Sequence, residues 1–343
     1  MHQQFISVQI LRFAAAMLVV AMHTTQAISI HITQAGHETY WSPGSAGVDI
    51  FFVISGFVMS TSVGRSIGIP ANGWKDGWTF LKRRLLRIVP LYWFYTLAKV
   101  AVLIAVPVLA ARSSVDLSHL LYSLFFIPVV SPWGPIEPLL PVGWTLNFEM
   151  LFYSIFALTI VLRLPRIRFG IGIFALIFLG ASYWPDVTPL TFYAQFIIFE
   201  FVLGMGVAHL LFRFQPLAPT AGAVVSAFAL AWMFGVNWDE STNRLIRWGF
   251  PAAFLLAGFV GMEPWMAKFR AGKQLSFLGD ASYSIYLSHT FAVPAGVLLL
   301  RKLSVGSSVT VFGVVIALAI IAGCVSYLAV ERPLTTFCRR LFF

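Results

Sequence analysis

The chain has 343 residues, of which 59% are hydrophobic and 10% are charged, and its mean hydropathy is +0.85. Soluble domains carry about 25% charged residues, so this composition excludes a water-soluble globular protein and indicates an integral membrane protein. The formal net charge of +10 does not indicate nucleic-acid binding, because the basic residues occupy short gaps between apolar runs. Such placement is typical of the positive-inside bias and of contact with anionic membrane lipid.

Ten apolar segments are long enough to be membrane-spanning helices, each of which needs about 20 apolar residues. They are 8–28, 44–62, 88–110, 147–163, 169–184, 190–212, 218–235, 246–262, 283–300 and 308–330. Segment 119–130 is apolar but shorter, which favours a re-entrant or interfacial segment. The first run lacks a basic n-region and a small-residue cleavage site, so we expect it to be retained as a helix. The prediction is an all-α, polytopic helix bundle that forms a single integral membrane domain over 1–343.

Lysine and arginine concentrate in alternate connections, which predicts the orientation of the bundle. The basic connections are 63–87, 163–168 and 263–280, whereas 29–43 and 185–189 contain no Lys or Arg. Two pairs depart from this pattern, Arg244 with Arg247 and Arg301 with Lys302. With ten spans, the bias places both termini in the cytoplasm.

Arg12 and His23 are ionisable residues within the first predicted span, where charge is costly and usually faces a cavity or a partner. Eleven residues at about 100° each make three turns plus about 20°, so both side chains share one face, about 16 Å apart along the axis. An imidazole can accept a hydroxyl proton near neutral pH. The alternative is a snorkelling arginine and a buried neutral histidine.

Two acids are candidates for orienting His23. Asp49 opens the second span and Glu149 begins the fourth, both on the side predicted for His23. The alternative for each is a carboxylate that favours a helix start through the helix dipole. Trp144 lies beside Glu149 in the sequence.

Two further groups of polar residues stand out. Arg83, Arg84 and Arg87 precede the third span, where guanidinium groups can bind the phosphates of a donor, although such runs also set topology or contact anionic lipid. Tyr286 and His289 share a face of the ninth span; His289 is a second catalytic candidate, and packing and hydrogen bonding are its alternative role. The sequence contains no P-loop, dinucleotide fingerprint, thiolate metal site or Gly-x-Ser-x-Gly elbow.

Five stretches together resemble the bacterial acyltransferase-3 family of integral membrane acyltransferases. In chain order they are Arg12-x10-His23; Gly47-Val48-Asp49-Ile50-Phe51-Phe52-Val53-Ile54-Ser55-Gly56-Phe57; Phe80-x2-Arg83-Arg84-x2-Arg87-Ile88-x-Pro90-x-Tyr92; Trp144-Thr145-Leu146-x2-Glu149-x2-Phe152-Tyr153; and Ser282-Tyr283-Ser284-Ile285-Tyr286-Leu287-x-His289 with Glu331-Arg332-Pro333. The Trp144–Met150 variant resembles the branch that modifies exopolysaccharides. Many relatives carry two adjacent acids where this chain has Glu149 and Met150, so no role of a second acid is carried over.

The resemblance implies a multi-pass protein of the bacterial inner (cytoplasmic) membrane that uses acetyl-CoA, or another acyl-CoA, as its donor. It implies that His23 is catalytic, that Arg12 is needed for activity, and that the arginines lie at the donor end with Tyr92. The implied acceptor is an exopolysaccharide, a lipid-linked sugar or another glycan of the cell envelope, and no metal is expected.

The resulting hypothesis is O-acylation, with acetyl as the expected group, of a sugar hydroxyl for which His23 is the general base. Either direct transfer or a relay through acyl-His23 fits the sequence. The alternatives are a transporter or flippase for a glycolipid or anionic substrate, which would use the same charges as a pathway, and a non-catalytic assembly subunit. A transporter is disfavoured because corresponding halves of the sequence lack paired interrupted helices.

Overall fold

The computed structural model describes residues 5–35, 40–64, 73–106, 116–239, 242–268 and 270–342, which are almost entirely helical. The only β-structure within these ranges is an isolated bridge between Val130 and Ile136. The helices are α1 (Ile6–His31), α2 (Ala46–Gly64), α3 (Gly73–Ala105), α4 (Leu117–Leu124), α5 (Trp144–Leu162), α6 (Arg166–Tyr183), α7 (Thr188–Tyr193), α8 (Phe199–Arg213), α9 (Pro219–Gly235), α10 (Phe250–Gly261), α11 (Glu263–Met266), α12 (Arg270–Asp280), α13 (Ser282–Lys302), α14 (Ser308–Ser326) and α15 (Arg332–Phe342).

The helices confirm the predicted all-α polytopic membrane protein. Eight helices in the described part of the chain are long and apolar enough to cross a membrane, and two shorter apolar helices, Pro219–Gly235 and Leu245–Gly261, occupy the remaining two predicted spans. The apolar segment at 119–130 contributes only α4, which has eight residues. At about 1.5 Å per residue α4 is too short to span a bilayer, as its length in the sequence predicted.

The bounds of two spans differ from the predictions. Helix α3 begins at Gly73 instead of 88 and continues through Pro90, so Arg83, Arg84 and Arg87 lie on the helix and not in a connection before it. Positions 107–110, where this span was predicted to end, lie outside the described residues. At the other end of the chain, α14 passes through a π-helical turn, Tyr327–Glu331, directly into α15. A wider turn accommodates the missing backbone N–H of Pro333 next to it.

Contacts divide the chain into two compact units, one formed by Met1–Ser62 with Leu203–Val330 and the other by Val63–Val202 with Glu331–Phe343. We call them the His23 unit and the Arg84 unit. The prediction of a single domain over 1–343 stays a prediction.

Helix α1 is the centre of the His23 unit because it buries two opposite faces. One face, which includes Leu11 and Ala15, packs in a cluster with α2, α8, α9 and α10. The other, which includes Ala16 and Val20, packs in a cluster with α13 and α14. Close approach depends on glycine: a Cβ on Gly47 would collide with the backbone carbonyl of Ala15. These clusters fix the rotation of α1 about its axis.

The start of α1 is held by a distant carboxylate. The backbone N–H groups of Ile6 and Ser7 donate to the two oxygens of Glu263, at 2.9 and 2.8 Å. The first turn of a helix has no intrahelical acceptors for these donors, and its positive dipole end favours an anion. Glu263 thereby fixes the position of α1 along its own axis.

In the Arg84 unit, α3 and α5 pack side by side along most of their lengths. Gly77 makes this possible at one end, since a Cβ there would lie 2.6 Å from Val161 and 3.0 Å from the carbonyl oxygen of Ala157. Towards the other end, a Cβ on Gly143 would lie 2.7 Å from the ring of Tyr92. The α3–α5 pair is therefore in contact at both ends, which sets the register of the polar residues between them.

Candidate functional site

The stripe of α1 that carries Arg12 and His23 points between its two buried faces. At about 100° per residue, Val19, which approaches Gly47 at the start of α2, lies on one side of the stripe. Gln9 lies on the other side, where its backbone lies against Gly279 at the end of α12. The stripe therefore opens onto the seam between α2 and the α12–α13 segment.

His23 has a defined tautomer because its own helix holds one ring nitrogen. Nδ1 lies 3.0 Å from the carbonyl oxygen of Val19. A carbonyl oxygen only accepts hydrogen bonds, so Nδ1 must carry the proton and the lone pair of the neutral ring lies on Nε2. The side chain is half-buried. The ring is therefore oriented as a base acting through Nε2.

His289 is the nearest aromatic neighbour of His23. The two ring centroids lie 5.0 Å apart, and the His289 side chain is fully buried. Neither ring nitrogen of His289 has a hydrogen-bond partner among the described residues. Tyr286 lies 5.8 Å from His289, and Phe51 of α2 lies 6.0 Å from Tyr286. The structure thus places two sequence-predicted candidates, Tyr286 and His289, in the seam that His23 faces.

Asp49, one of the two acids expected to orient His23, forms a bidentate pair with Arg244. Both of its oxygens accept from Arg244, whose Nε and Nη2 lie 2.8 and 2.7 Å away. The carboxylate is fully buried and the arginine side chain is 31% exposed. A buried carboxylate requires such a partner, and Arg244 supplies a bidentate one. The hydrogen bond of His23 runs to the carbonyl of Val19, and the orienting role expected for Asp49 or Glu149 stays a prediction.

Arg12 lies about 16 Å before His23 along α1. Its side chain is buried, with 9% of its surface exposed, and its Nη1 donates to Oε1 of Gln9 at 3.0 Å. A guanidinium that is largely withdrawn from water retains its charge, so it is a fixed cation at this depth. No contact between Arg12 and His23 follows from their shared stripe.

A second polar group lies in the Arg84 unit. Glu149 accepts a hydrogen bond from the Tyr153 hydroxyl at 3.1 Å, and the charges of Glu149 and Arg87 both act on Arg84. Arg84 also stacks 5.5 Å from the ring centre of Phe80. Arg83 is exposed, whereas Arg84 and Arg87 are half-buried. Within its unit, Glu149 therefore lies close enough to Arg84 for their charges to interact.

Tyr92 and Trp144 both make packing contacts within the Arg84 unit. The Tyr92 ring is fully buried, and its hydroxyl donates to the carbonyl oxygen of Ser123 at 3.1 Å. It thereby holds the α4 segment against α3. Trp144 packs edge-on against Phe148 at 5.9 Å. The donor role expected for Tyr92 stays a prediction.

Comparison with known proteins identifies the family to which the chain belongs. The acyltransferase-3 model, described as an acyltransferase domain, matches residues 5–329. The chain belongs to the acyltransferase-3 family. It is 38% identical over 312 residues to the exopolysaccharide production protein ExoZ of Rhizobium meliloti (strain 1021), covering 88% of this chain and 92% of that protein. It is also 29% identical over 378 residues to the acyltransferase MdmB of Streptomyces mycarofaciens, covering 96% of this chain and 90% of that protein. No solved structure matches the chain.

Family membership identifies the protein as a multi-pass membrane acyltransferase and confirms the resemblance that its sequence motifs indicated. Within the described ranges, no three His, Cys, Asp or Glu side chains come together as a metal site requires. The ionisable side chains of the His23 unit described above include the two imidazoles, Arg12 and the Asp49–Arg244 pair.

Proposed function

We propose that the protein is an O-acyltransferase that moves an acyl group, expected to be acetyl, from acyl-CoA to a hydroxyl of an exopolysaccharide or lipid-linked sugar. The observation that carries this proposal is the state of His23: Nδ1–H is held by the Val19 carbonyl, which leaves the lone pair of Nε2 for the acceptor. The site belongs to a multi-pass protein of the bacterial cytoplasmic membrane.

In the proposed reaction, Nε2 of His23 removes the proton of the sugar hydroxyl while its oxygen attacks the thioester carbonyl. The tetrahedral intermediate collapses, the C–S bond breaks, and the proton on His23 passes to the CoA thiolate, which leaves as CoA–SH. A relay in which Nε2 itself attacks the thioester uses the same lone pair and forms acyl-His23 first. Both routes need the tautomer that the Val19 carbonyl imposes.

His289 is assigned to positioning His23. It is fully buried, and its ring lies 5.0 Å from that of His23. Apolar surroundings disfavour a positive charge on either imidazole, which supports a neutral His23 before the reaction. The Tyr286 and Phe51 rings limit the movement of His289.

Arg83, Arg84 and Arg87 are assigned to the phosphates of CoA. Guanidinium groups bind phosphate through paired N–H donors, and this cluster offers one exposed and two half-buried arginines on consecutive turns of α3. Glu149 is assigned to orienting Arg84, because its charge acts on Arg84 within the same unit. Asp49 is assigned to fixing the start of α2 through Arg244.

The names of the relatives support the acceptor and the reaction. The Rhizobium meliloti protein is named for exopolysaccharide production, and the Streptomyces mycarofaciens protein is named an acyltransferase. An acyltransferase that takes part in exopolysaccharide production would acylate a hydroxyl of the polysaccharide, so we propose a sugar hydroxyl of a surface polysaccharide as the acceptor.

The proposal is tested by measuring CoA release from acetyl-CoA in membranes that contain the protein, with and without added envelope glycan. Acyl transfer requires CoA–SH to appear in proportion to acetyl groups on the glycan. A transporter or flippase would move glycan or lipid without releasing CoA. Transport without thioester cleavage would therefore overturn the proposal, and CoA release independent of glycan would overturn the acceptor.

A further inference from the structure

Trp248, at the start of the α10 segment, has two guanidinium groups close to its ring. The guanidinium carbon of Arg244 lies 4.9 Å from the Trp248 ring centre, and that of Arg247 lies 4.4 Å from it. The ring itself is buried, with 7% of its surface exposed. A guanidinium held against an aromatic face has a fixed orientation, which leaves its N–H groups free to donate at its edge.

The two arginines differ in how their charges are balanced. Arg244 is paired with Asp49, whereas Arg247 forms no ion pair with any residue that the structure describes. The Nε of Arg247 and the Nε1 of Trp248 are both buried and meet no acceptor within the described ranges. Buried N–H donors in folded proteins are normally matched by an acceptor. The cluster therefore presents one unbalanced positive charge and two unmatched donors within one helical turn.

This cluster lies at the same end of the His23 unit as His23. The backbone N–H of Trp41 donates to Thr25 of α1 at 3.1 Å, and the Trp41 ring stacks on Phe234 at the end of α9 at 6.2 Å. The end of α9 is connected to Arg244 through residues 236–243, so α10 begins where the second half of α1 lies.

The first turn of α2 separates the two groups. Asp49 in this turn binds Arg244, and Gly47 approaches Val19, the residue whose carbonyl orients His23. The cluster and His23 thus lie on either side of one helical turn.

We propose that Arg247, with Trp248 and Arg244, forms a binding subsite for an oxyanion of the acceptor, either a carboxylate on the sugar chain or the phosphate of a lipid-linked sugar. This inference rests on the proposed acylation of a sugar and specifies its acceptor as an anionic glycan. Arg247 binds one pair of oxygens through its guanidinium edge. Bound there, the anion holds the sugar chain beside the first turn of α2, the turn that packs through Gly47 against Val19 of α1.

The Asp49–Arg244 pair gives the subsite its selectivity for a single anion. Because Asp49 already neutralises Arg244, the three charged side chains together carry one net positive charge. A monoanionic sugar residue balances that charge, whereas a neutral glycan would leave the guanidinium of Arg247 without a counter-ion. Arg244 then serves to hold Trp248, and through it Arg247, in place.

The inference is tested by equilibrium binding, without acyl-CoA, to purified protein in nanodiscs of phosphatidylcholine. The probes are an oligogalacturonate, a neutral oligosaccharide of the same length, and inorganic phosphate. We expect the oligogalacturonate to bind and the neutral oligosaccharide to bind at least about tenfold more weakly, as is typical for loss of a charged hydrogen-bonded pair. Arg247→Gln should weaken oligogalacturonate or phosphate binding by about tenfold or more and leave the neutral oligosaccharide unchanged.

Two further variants make the result specific. Arg247→Lys keeps the charge but loses the planar fork, so its affinity should fall between those of the wild type and Arg247→Gln. Arg301→Gln removes an exposed arginine of the same unit and should change nothing. Equal binding of acidic and neutral oligosaccharides, or an Arg247→Gln variant with wild-type affinity, would overturn the inference.

A second set of nanodiscs, which contain phosphatidylglycerol, distinguishes a lipid headgroup from a glycan as the source of the bound anion. If this lipid abolishes oligogalacturonate binding at low mole fraction, the cluster is a lipid-headgroup site and the inference is overturned. Preference for phosphate over galacturonate supports a lipid-linked sugar phosphate, and the reverse supports an acidic polysaccharide. Because binding is measured without donor, its outcome is independent of whether the protein transfers acyl groups.

Discussion

The bidentate pair between Asp49 and Arg244 should be among the most stabilising polar contacts of the His23 unit, and its two halves should respond differently to substitution. In Arg244→Gln, a carboxylate with 0% exposure loses both charged hydrogen bonds, at 2.8 and 2.7 Å. Removing one partner of a buried ion pair costs about 3–5 kcal/mol. Since Arg244 is 31% exposed, we expect the lower end, about 3 kcal/mol.

The reverse substitution should be milder. Asp49→Asn leaves an amide oxygen to accept one N–H of Arg244, and the exposed part of the guanidinium can reach water, so about 1–2 kcal/mol is expected. In the double variant no charge is left unpaired. Its cost should therefore be close to that of Asp49→Asn and smaller than that of Arg244→Gln alone.

The assay is equilibrium unfolding in mixed detergent micelles, analysed as a double-mutant cycle. Arg301→Gln is the control, because Arg301 is exposed and such substitutions change stability by less than about 0.5 kcal/mol. Additive costs for the two single substitutions, or a cost for Arg244→Gln below about 1 kcal/mol, would refute the assignment of Asp49 to Arg244.

Three other substitutions test the packing and the proposed roles. In the same unfolding assay, Gly204→Ala should destabilise the protein strongly, because the added Cβ would collide with the backbone carbonyl of Val53. Gly206→Ala, on the same helix, is the control: its Cβ meets nothing within 4 Å, so the substitution should be neutral or stabilising. Arg84→Gln should raise the KM for acyl-CoA by about tenfold with a smaller effect on kcat, since a charged phosphate contact is lost; an unchanged KM would remove Arg84 from the donor site. His289→Phe keeps a ring beside His23 but removes its nitrogens, and should retain most of kcat if His289 only positions His23; a loss as large as that from removal of His23 would make His289 catalytic.

The helices were predictable from sequence because each is an apolar run; of the ten predicted spans, eight are helices long enough to cross a membrane in the described residues and two are shorter apolar helices. The start of α3 was not predictable by the same means. Residues 73–87 are polar enough to be predicted as a connection. The partners that allow Arg84 to lie on a helix here, Phe80 and Glu149, are close to it only when α3 and α5 are packed together. A hydropathy pattern contains no information about such partners.

The contacts between the site residues could not be predicted from the sequence either. Asp49 and Arg244 are 195 residues apart, and in the sequence Arg244 stands out only as an exception to the charge bias of the connections. Its position among apolar spans was nevertheless the signal that it needed a partner. Likewise, His289 could be placed on a helix face, but its position beside His23 depends on which helices are adjacent. The candidate residues of each unit were predictable, whereas their pairings were not.

We propose His23 as the base of the acyl transfer. This role is tested most directly by incubating membranes with radiolabelled acetyl-CoA and envelope glycan and measuring label on the glycan. The matched variants are His23→Ala and His209→Ala, which removes an exposed histidine of α8 in the same unit. We predict label with the wild type and with His209→Ala, and a loss of at least about a hundredfold with His23→Ala at equal expression, as is typical for a general base. Equal labelling by His23→Ala and the wild type would show that His23 is not the base.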